Sequence, residues 1–371
     1  MTHGTDPNAP RAGLRSLGWN EGFEAAWASW EAEGYRPGRV AAHYRTRYYV
    51  AFGDGETRPA RVSGHFRHHA DSGSEYPVVG DWVAADAPGT DGETIIRGVL
   101  PRKSKFSRKV AGVKSEEQVL VSNVDTVFLL MGLDGDYNPR RLERYLVVAH
   151  DSGASPVVVL TKSDLSPDVK SDLEECALLA PNVPVVALCS LTGAGVEGIR
   201  GHLRPGDTAV LLGSSGVGKS TLLNHLLGEE AQVTQEVRET DSHGRHTTTH
   251  RQMFRLDNGA LLIDTPGLRE LQLWTAGSGM ADTFPDIIEL GAGCRFSDCR
   301  HESEPGCAVK RAVDEGRLSE ERWESYGKLK KELKYLERRT SWKSAKEHQK
   351  NIKSIMLSYK KGPKRGRHES E

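Results

Sequence analysis

The sequence predicts an α/β nucleotide-binding domain of the P-loop type, placed between a small N-terminal β-barrel and a C-terminal α-helical, zinc-binding domain. Three observations carry this. Gly213-Ser214-Ser215-Gly216-Val217-Gly218-Lys219-Ser220 fits the phosphate-binding pattern G-x-x-x-x-G-K-[ST] without a mismatch, inside an alternation of strand and helix patterns from Val119 to about Leu271. Short β-type runs separated by Gly, Asp and Pro fill Val40 to Leu100. Cys294, Cys299, His301 and Cys307 fall within fourteen residues.

The context of the first motif matches its spacing. Thr208 to Leu212 reads as a short buried strand and Thr221 to Leu227 as the opening of a helix, so the glycines sit at a strand-to-helix turn. There, backbone N–H groups can close around phosphate oxygens, aided by the positive end of the helix. Lys219 can reach the outer phosphates and the Ser220 hydroxyl can ligate Mg²⁺. The expected nucleotide contacts run from Gly213 to Thr221.

Composition bounds what surrounds this loop. A chain of 371 residues holds two or three domains. With 37% hydrophobic residues and no apolar run of membrane-span length, it reads as soluble. The polar start Met1 to Pro10 carries no secretory pattern, so a cytoplasmic protein without a membrane partner is expected. The formal net charge of −1 conceals an asymmetry: residues 322–367 carry 16 Lys or Arg against 4 Asp or Glu. Such a basic end suits nucleic acid, and equally a solvated helix.

Taken in order, Trp19 to Glu33 places Phe23, Trp27 and Trp30 at helical spacing and predicts a short amphipathic packing helix. Strands are expected at Val40 to Phe52, Thr57 to Val62, Val78 to Ala84 and Thr94 to Leu100, closing a small barrel. An oligonucleotide-binding-type barrel and an SH3-like barrel both give this pattern. His65, His68 and His69 fall in an expected solvated loop. Pro101 to Lys109 places five basic residues around Phe106, which reads either as a charged linker or as an RNA contact in which Phe106 stacks on a base.

From Val119 the predicted elements are a strand to Leu133, a helix opened by Asn138-Pro139, and buried strands at Pro156–Leu160 and Val183–Leu188. The P-loop strand and a strand at Ala260–Ile263 complete a mostly parallel sheet. Chemistry-bearing tetrads follow these strands. In Thr161-Lys162-Ser163-Asp164, the Asp164 carboxylate can accept two hydrogen bonds from a guanine edge while the Lys162 stem covers the base. Ser190, in the loop after the third strand, belongs to a segment whose backbone N–H groups can meet the guanine oxygen. Asp264, opening Asp264-Thr265-Pro266-Gly267, can hold Mg²⁺ through water, with Gly267 facing the terminal phosphate. One of Thr247, Thr248 and Thr249 is expected to ligate Mg²⁺.

The order of the tetrads is a further clue. In ordinary small GTPases the P-loop comes first, and here the base-recognition tetrad and its Ser loop precede it, so the cyclic order is kept and the ends are moved. The cysteines, C-x₄-C-x-H-x₅-C, supply three thiolates and one imidazole, a closed tetrahedral set for one structural Zn²⁺. Cys176 and Cys189 read as packing residues.

With barrel, permuted tetrads and cysteine cluster in this order, the sequence resembles the circularly permuted, ribosome small-subunit-dependent GTPase A family (RsgA, also called YjeQ), over roughly Gly38 to Lys334. The resemblance implies hydrolysis of GTP to GDP, stimulated by the small ribosomal subunit. It also implies contact with ribosomal RNA, late action in subunit assembly near the decoding region, and help in releasing another assembly factor. Nucleotide contacts carry over to Thr161–Asp164 and Gly213–Ser220, and zinc ligands to Cys294, Cys299, His301 and Cys307. Thr161 stands where the usual tetrad has Asn, which should weaken bracing to the P-loop. Leu268 stands where Ras-like enzymes have a water-orienting Gln, so slow intrinsic turnover is expected. His246, a switch histidine by resemblance, and Lys219 are the catalytic candidates. Domains are expected at 1–37 (extension with a helix), 38–110 (barrel), 111–275 (permuted GTPase) and 276–371 (zinc unit and basic tail), in a monomer. Two alternatives stand beside this: an RNA-bound assembly placeholder that uses slow hydrolysis as a timer, and a large-subunit GTPase, which barrel and cluster disfavour.

Overall fold

The computed structural model describes residues 9–44, 47–87, 92–109, 117–228, 251–264 and 278–338. Two helices lead, α1 (Ala9–Arg15) and α2 (Glu21–Ala32), the second begun by Asn20, whose side chain accepts from the N–H groups of Gly22 and Phe23. The apolar stripe of α2 buries Phe23 and Trp27 with Trp19 against Trp82 and Leu100, so the expected packing helix covers the outside of the barrel.

Where one strand was expected over Val40–Phe52, the chain makes a hairpin of β1 (Arg36–Tyr44) and β2 (Arg47–Ala51). β3 (Thr57–Val62) follows, then the short helix α3 (Gly64–His69), β4 (Trp82–Ala85) and β5 (Thr94–Val99). β5 lies parallel to β3 and antiparallel to β4, and β4 returns to β1. This closes five strands in the order β1-β2-β3-β5-β4, a Greek-key barrel of the oligonucleotide-binding type. The three histidines lie on α3 rather than in a loop, with the rings of His65 and His69 stacked 4.0 Å apart.

The basic stretch after the barrel is neither linker nor stacking platform. It forms β6 (Lys105–Lys109), paired antiparallel with β7 (Glu117–Ser122), and Phe106 is 1% exposed in the core, which removes it from any base. Three of its cations are used internally: Arg102 pairs with the fully buried Asp81, Lys103 with Asp125 and Lys105 with Glu117. Asp81 also accepts from the Ser122 hydroxyl and the Val78 N–H, while buried Arg39 donates to the carbonyls of Gly80, Leu17 and Asn123. Burial lowers the Arg39 guanidinium to about 10 against the attraction of Asp125 and Asp81. This polar knot joins helices, barrel and β7. It also explains why the strand expected over Val119–Leu133 is broken: Asn123, at φ 54°, donates its side-chain amide to Gly80 O.

The second half of that run is β8 (Thr126–Gly132), followed by α4 (Pro139–Ser152), β9 (Ser155–Thr161), α5 (Val169–Leu179), β10 (Val185–Ala187), α6 (Val196–Arg200), β11 (Thr208–Gly213) and α7 (Lys219–Leu227). β12 (Arg251–Arg255) and β13 (Leu261–Asp264) complete the sheet, ordered β10-β9-β8-β11-β13-β12, parallel except for β12. β12 was not anticipated. It pairs antiparallel with β1 (Ala42 opposite Gln252, His43 opposite Arg251), so barrel and nucleotide-binding sheet are one hydrogen-bonded sheet. Strand alternation sends Val127, Leu129 and Met131 into the core shared with α4, and Phe128 and Leu130 into the core shared with α6 and α7. Cys176 and Cys189 are buried packing residues.

Helices Gly279–Thr283, Pro285–Ala292, Ala308–Asp314 and 320–338 form the C-terminal part. Phe284, Ile287, Val309 and Tyr326 extend the α4 side of the core. Arg322, 6% exposed, ties this part to α4 by pairing with Glu143 at 3.1 Å and Asp286 at 2.7 Å. The basic tail beyond residue 338 lies outside the described residues, as do the expected switch residues His246 to Thr249, and Gly267 and Leu268.

Candidate functional site

Because β8, β9, β10, β11 and β13 run parallel, their C-terminal ends share one edge, the place where open α/β sheets bind ligands. At that edge stand the P-loop after β11, Thr161 to Asp164 after β9, Ser190 shortly after β10 and Asp264 at the end of β13. The sheet thus brings together four segments separated by up to a hundred residues.

The P-loop backbone is set by glycines with distinct reasons. Gly216 and Gly218 have φ of 75° and 102°, open only to glycine at low cost. A Cβ on Gly213 would come within 2.8 Å of Leu130 O, whereas at Gly216 nothing lies within 4 Å, so the loop opens outward there into a cradle a phosphate can fill. Val217 anchors the inside of the loop at 1% exposure. Lys219, first residue of α7, folds its ammonium back to donate to the carbonyls of Gly213 and Ser214. Ser220 is exposed and Thr221 half-buried on the first turn of α7.

Thr161 corrects an expectation. Its hydroxyl donates to Val217 O at 2.7 Å and lies 3.3 Å from Met131 O, fully buried, so the threonine braces the Thr161–Asp164 loop against the P-loop. The amide of an asparagine is not needed for that contact. Lys162 takes a left-handed φ of 58° and pairs with Asp134, and Ser163 to Leu165 make a single 3₁₀ turn that presents Asp164 as an exposed carboxylate. Ser190 O meets His225 Nε2 at 2.5 Å, while its buried Oγ lies where a Cβ on Gly218 would approach it at 3.1 Å. Asp264 is half-buried, opposite Gln252 in the ladder.

Two residues that the motifs did not single out join the site from the loop after β8. Asp134 pairs with Lys162, and that hydrogen bond holds its carboxyl below the usual carboxylate range. Asp136 accepts from the Ser214 hydroxyl at 2.6 Å and pairs with Arg141 at 2.8 Å. Their position just past a parallel strand's C-terminal end was the available signal.

The cysteine cluster is a separate centre. The donor atoms of Cys294, Cys299, His301 and Cys307 all lie within 4.8 Å of one another. Cys294 Sγ and Cys307 Sγ are 4.0 Å apart, and they stand 3.5 and 3.4 Å from His301 Nδ1. A tetrahedral Zn²⁺ with usual bond lengths asks for about 3.8 Å between sulfurs and about 3.6 Å from sulfur to nitrogen. The set fits zinc. Glu304 shapes the loop by accepting from the N–H groups of Arg300, Glu302 and Ser303 at 2.9 to 3.0 Å.

Residues 99–274 match the family model described as RsgA GTPase. A protein of Opitutus terrae named small ribosomal subunit biogenesis GTPase RsgA is 47% identical over 335 residues, covering 88% of this chain and 91% of that one. Its namesake in Streptomyces coelicolor is 41% identical, covering 94% of each. Among solved structures, YjeQ from Thermotoga maritima superposes with a TM-score of 0.60 at 29% identity, over 81% of this chain and 98% of the other. YloQ, described as a circularly permuted GTPase, gives 0.59 at 26% identity, over 81% and 95%.

Proposed function

The chain belongs to the RsgA GTPase family, and from that premise we propose that it hydrolyses GTP to GDP and phosphate in the biogenesis of the small ribosomal subunit. The observation that carries the reading is the convergence of P-loop, base tetrad, Ser190 loop and Asp264 on one edge of a parallel sheet in permuted chain order.

In this reading Asp164 selects guanine, the Lys162 stem covers the base, and Ser190 and its neighbours meet the guanine oxygen. Backbone N–H groups from Gly213 to Thr221 hold the phosphates. Lys219 exchanges its two carbonyl partners for phosphate oxygens when nucleotide enters. Ser220 and Asp264 would hold the Mg²⁺ that accompanies GTP, which offsets charge on the outer phosphates. Gly267 meets the terminal phosphate, and His246 orients the attacking water in place of the glutamine that Leu268 lacks. These last roles rest on the sequence pattern. Cys294, Cys299, His301 and Cys307 would hold one structural zinc, since four protein ligands leave no position for chemistry.

The partners we propose are the small subunit and its ribosomal RNA, with stimulation of hydrolysis by the subunit and release of another assembly factor, in the cytoplasm and as a monomer. Among the described residues no helix is long and apolar enough to cross a membrane. Turnover of GTP, XTP and ATP by the wild-type chain and by Asp164→Asn tests the site. The wild type should use GTP alone, and the variant should gain XTP, because an amide presents a donor where the carboxylate only accepts. Unchanged base preference would refute the assignment.

A further inference from the structure

The loop between β8 and α4 touches both halves of the nucleotide site, and no motif assigns it a role. Asp134 is its inner residue. A Cβ on Gly132 would meet Asp134 Oδ1 at 2.6 Å and Val217 Cγ2 at 3.7 Å, so the glycine leaves room for the carboxylate to fold back beside the P-loop. From there it takes the Lys162 ammonium, with the two side chains 27% and 29% exposed. Two residues on, Asp136 accepts from Ser214 and is held by Arg141 from the first turn of α4. One short segment therefore grips the base loop through Asp134 and the P-loop through Asp136.

We propose that Asp134 is a positioning residue for guanine nucleotide binding: it fixes the Lys162 ammonium so that the lysine stem is already laid where the base will stack. A lysine stem otherwise loses rotamer freedom when it is ordered on a ligand, and a partner that orders it beforehand moves that cost out of the binding step. Lys162 takes a left-handed backbone conformation just before the turn that carries Asp164, and its ion pair with Asp134 holds the side chain toward the loop after β8. Asp134 does not reach the phosphates in this account, so it acts on affinity and leaves the chemical step alone. Thr161, next to Lys162, is bonded to Val217 O of the P-loop, so the grip acts on a loop already braced.

This inference rests on the proposed guanine-nucleotide site, and the experiment separates the two. GDP affinity is measured by fluorescence with a labelled GDP for the full-length wild type, Asp134→Asn, Asp134→Glu, Lys162→Met and the double variant Asp134→Asn/Lys162→Met, with steady-state GTP turnover alongside. If the wild type fails to bind GDP in preference to ADP, the site reading falls before the inference is reached. Given that binding, Asp134→Asn should weaken GDP about fivefold, the scale of a half-exposed ion pair, and raise KM for GTP equally with kcat unchanged. Asp134→Glu should recover most of the loss. In the Lys162→Met background the Asp134→Asn change should have less than about a twofold effect, because the group it holds is gone. A fivefold loss that persists in that background, a loss of kcat without a change in KM, or unchanged affinity in Asp134→Asn each overturns the proposal.

Discussion

The nucleotide site and the cysteine cluster are both built from loops, and they hold themselves together in opposite ways. In the nucleotide site the polar groups already have protein partners: Lys219 on two P-loop carbonyls, Thr161 on Val217, Lys162 on Asp134, Ser214 on Asp136. On the proposed reading, a nucleotide there would exchange partners and leave the backbone in place. In the cluster, three sulfurs and one imidazole nitrogen point at a common centre, and thiolates so arranged repel one another unless a cation lies between them. The first site should keep its shape when its ligand leaves, and the second should not.

Metal removal should therefore have the largest effect. Structural zinc contributes about 10–16 kcal/mol of apparent binding free energy in small zinc units, so Cys299→Ser or a strong chelator should unfold residues 294–307 locally. Limited proteolysis and zinc content would read this, while GDP affinity should stay within about twofold. Simultaneous loss of nucleotide binding would break the contrast. Next, Lys219→Ala should lower kcat by about a hundredfold or more, the scale of losing one charge-stabilising donor in the transition state, with the thermal midpoint little changed. A collapse of the midpoint would show that the P-loop lysine supports the fold.

Thr161→Val sharpens the account of bracing. It removes the hydroxyl that meets Val217 O and keeps the shape, so nucleotide affinity should fall about fivefold, as for one buried hydrogen bond, and Thr161→Asn should restore it. Glu304 acts only on the loop of the cysteine cluster. Backbone hydrogen bonds, its own N–H first and then that of Arg300, bring its carboxyl down to about 2 from the ordinary 4.5. A depressed carboxyl supports the folded loop fully above its ordinary value and loses that support as pH falls toward 2. Glu304→Gln should weaken zinc less than about tenfold and remove that acid-side dependence.

What was legible in the sequence was local. Gly213 to Ser220 states its own geometry, because glycine spacing, lysine and hydroxyl have few other uses at a strand-to-helix turn. Asn138-Pro139 stated the start of α4 for the same reason. What could not be read depends on residues far apart. Phe106 looked like an exposed aromatic among cations until β7 covered it, and Arg102 looked available until Asp81, twenty-one residues earlier, took it. β12 is five residues of mixed polarity whose strand character comes from β1 and β13 on either side. Thr161 read as a missing amide, although its hydroxyl reaches Val217 O where β9 and the P-loop approach closely. Asp134 and Asp136 carried no motif, and only the parallel sheet puts their loop beside Lys162 and Ser214.

GTP turnover with purified small ribosomal subunits, with purified large subunits and with neither tests the functional reading most directly. Turnover should be slow alone, rise by an order of magnitude or more with small subunits, and stay near the basal rate with large subunits. His246→Ala should lose that rise while keeping GDP affinity. Equal turnover under all three conditions, or stimulation by large subunits alone, would contradict the assignment of this GTPase to the small subunit.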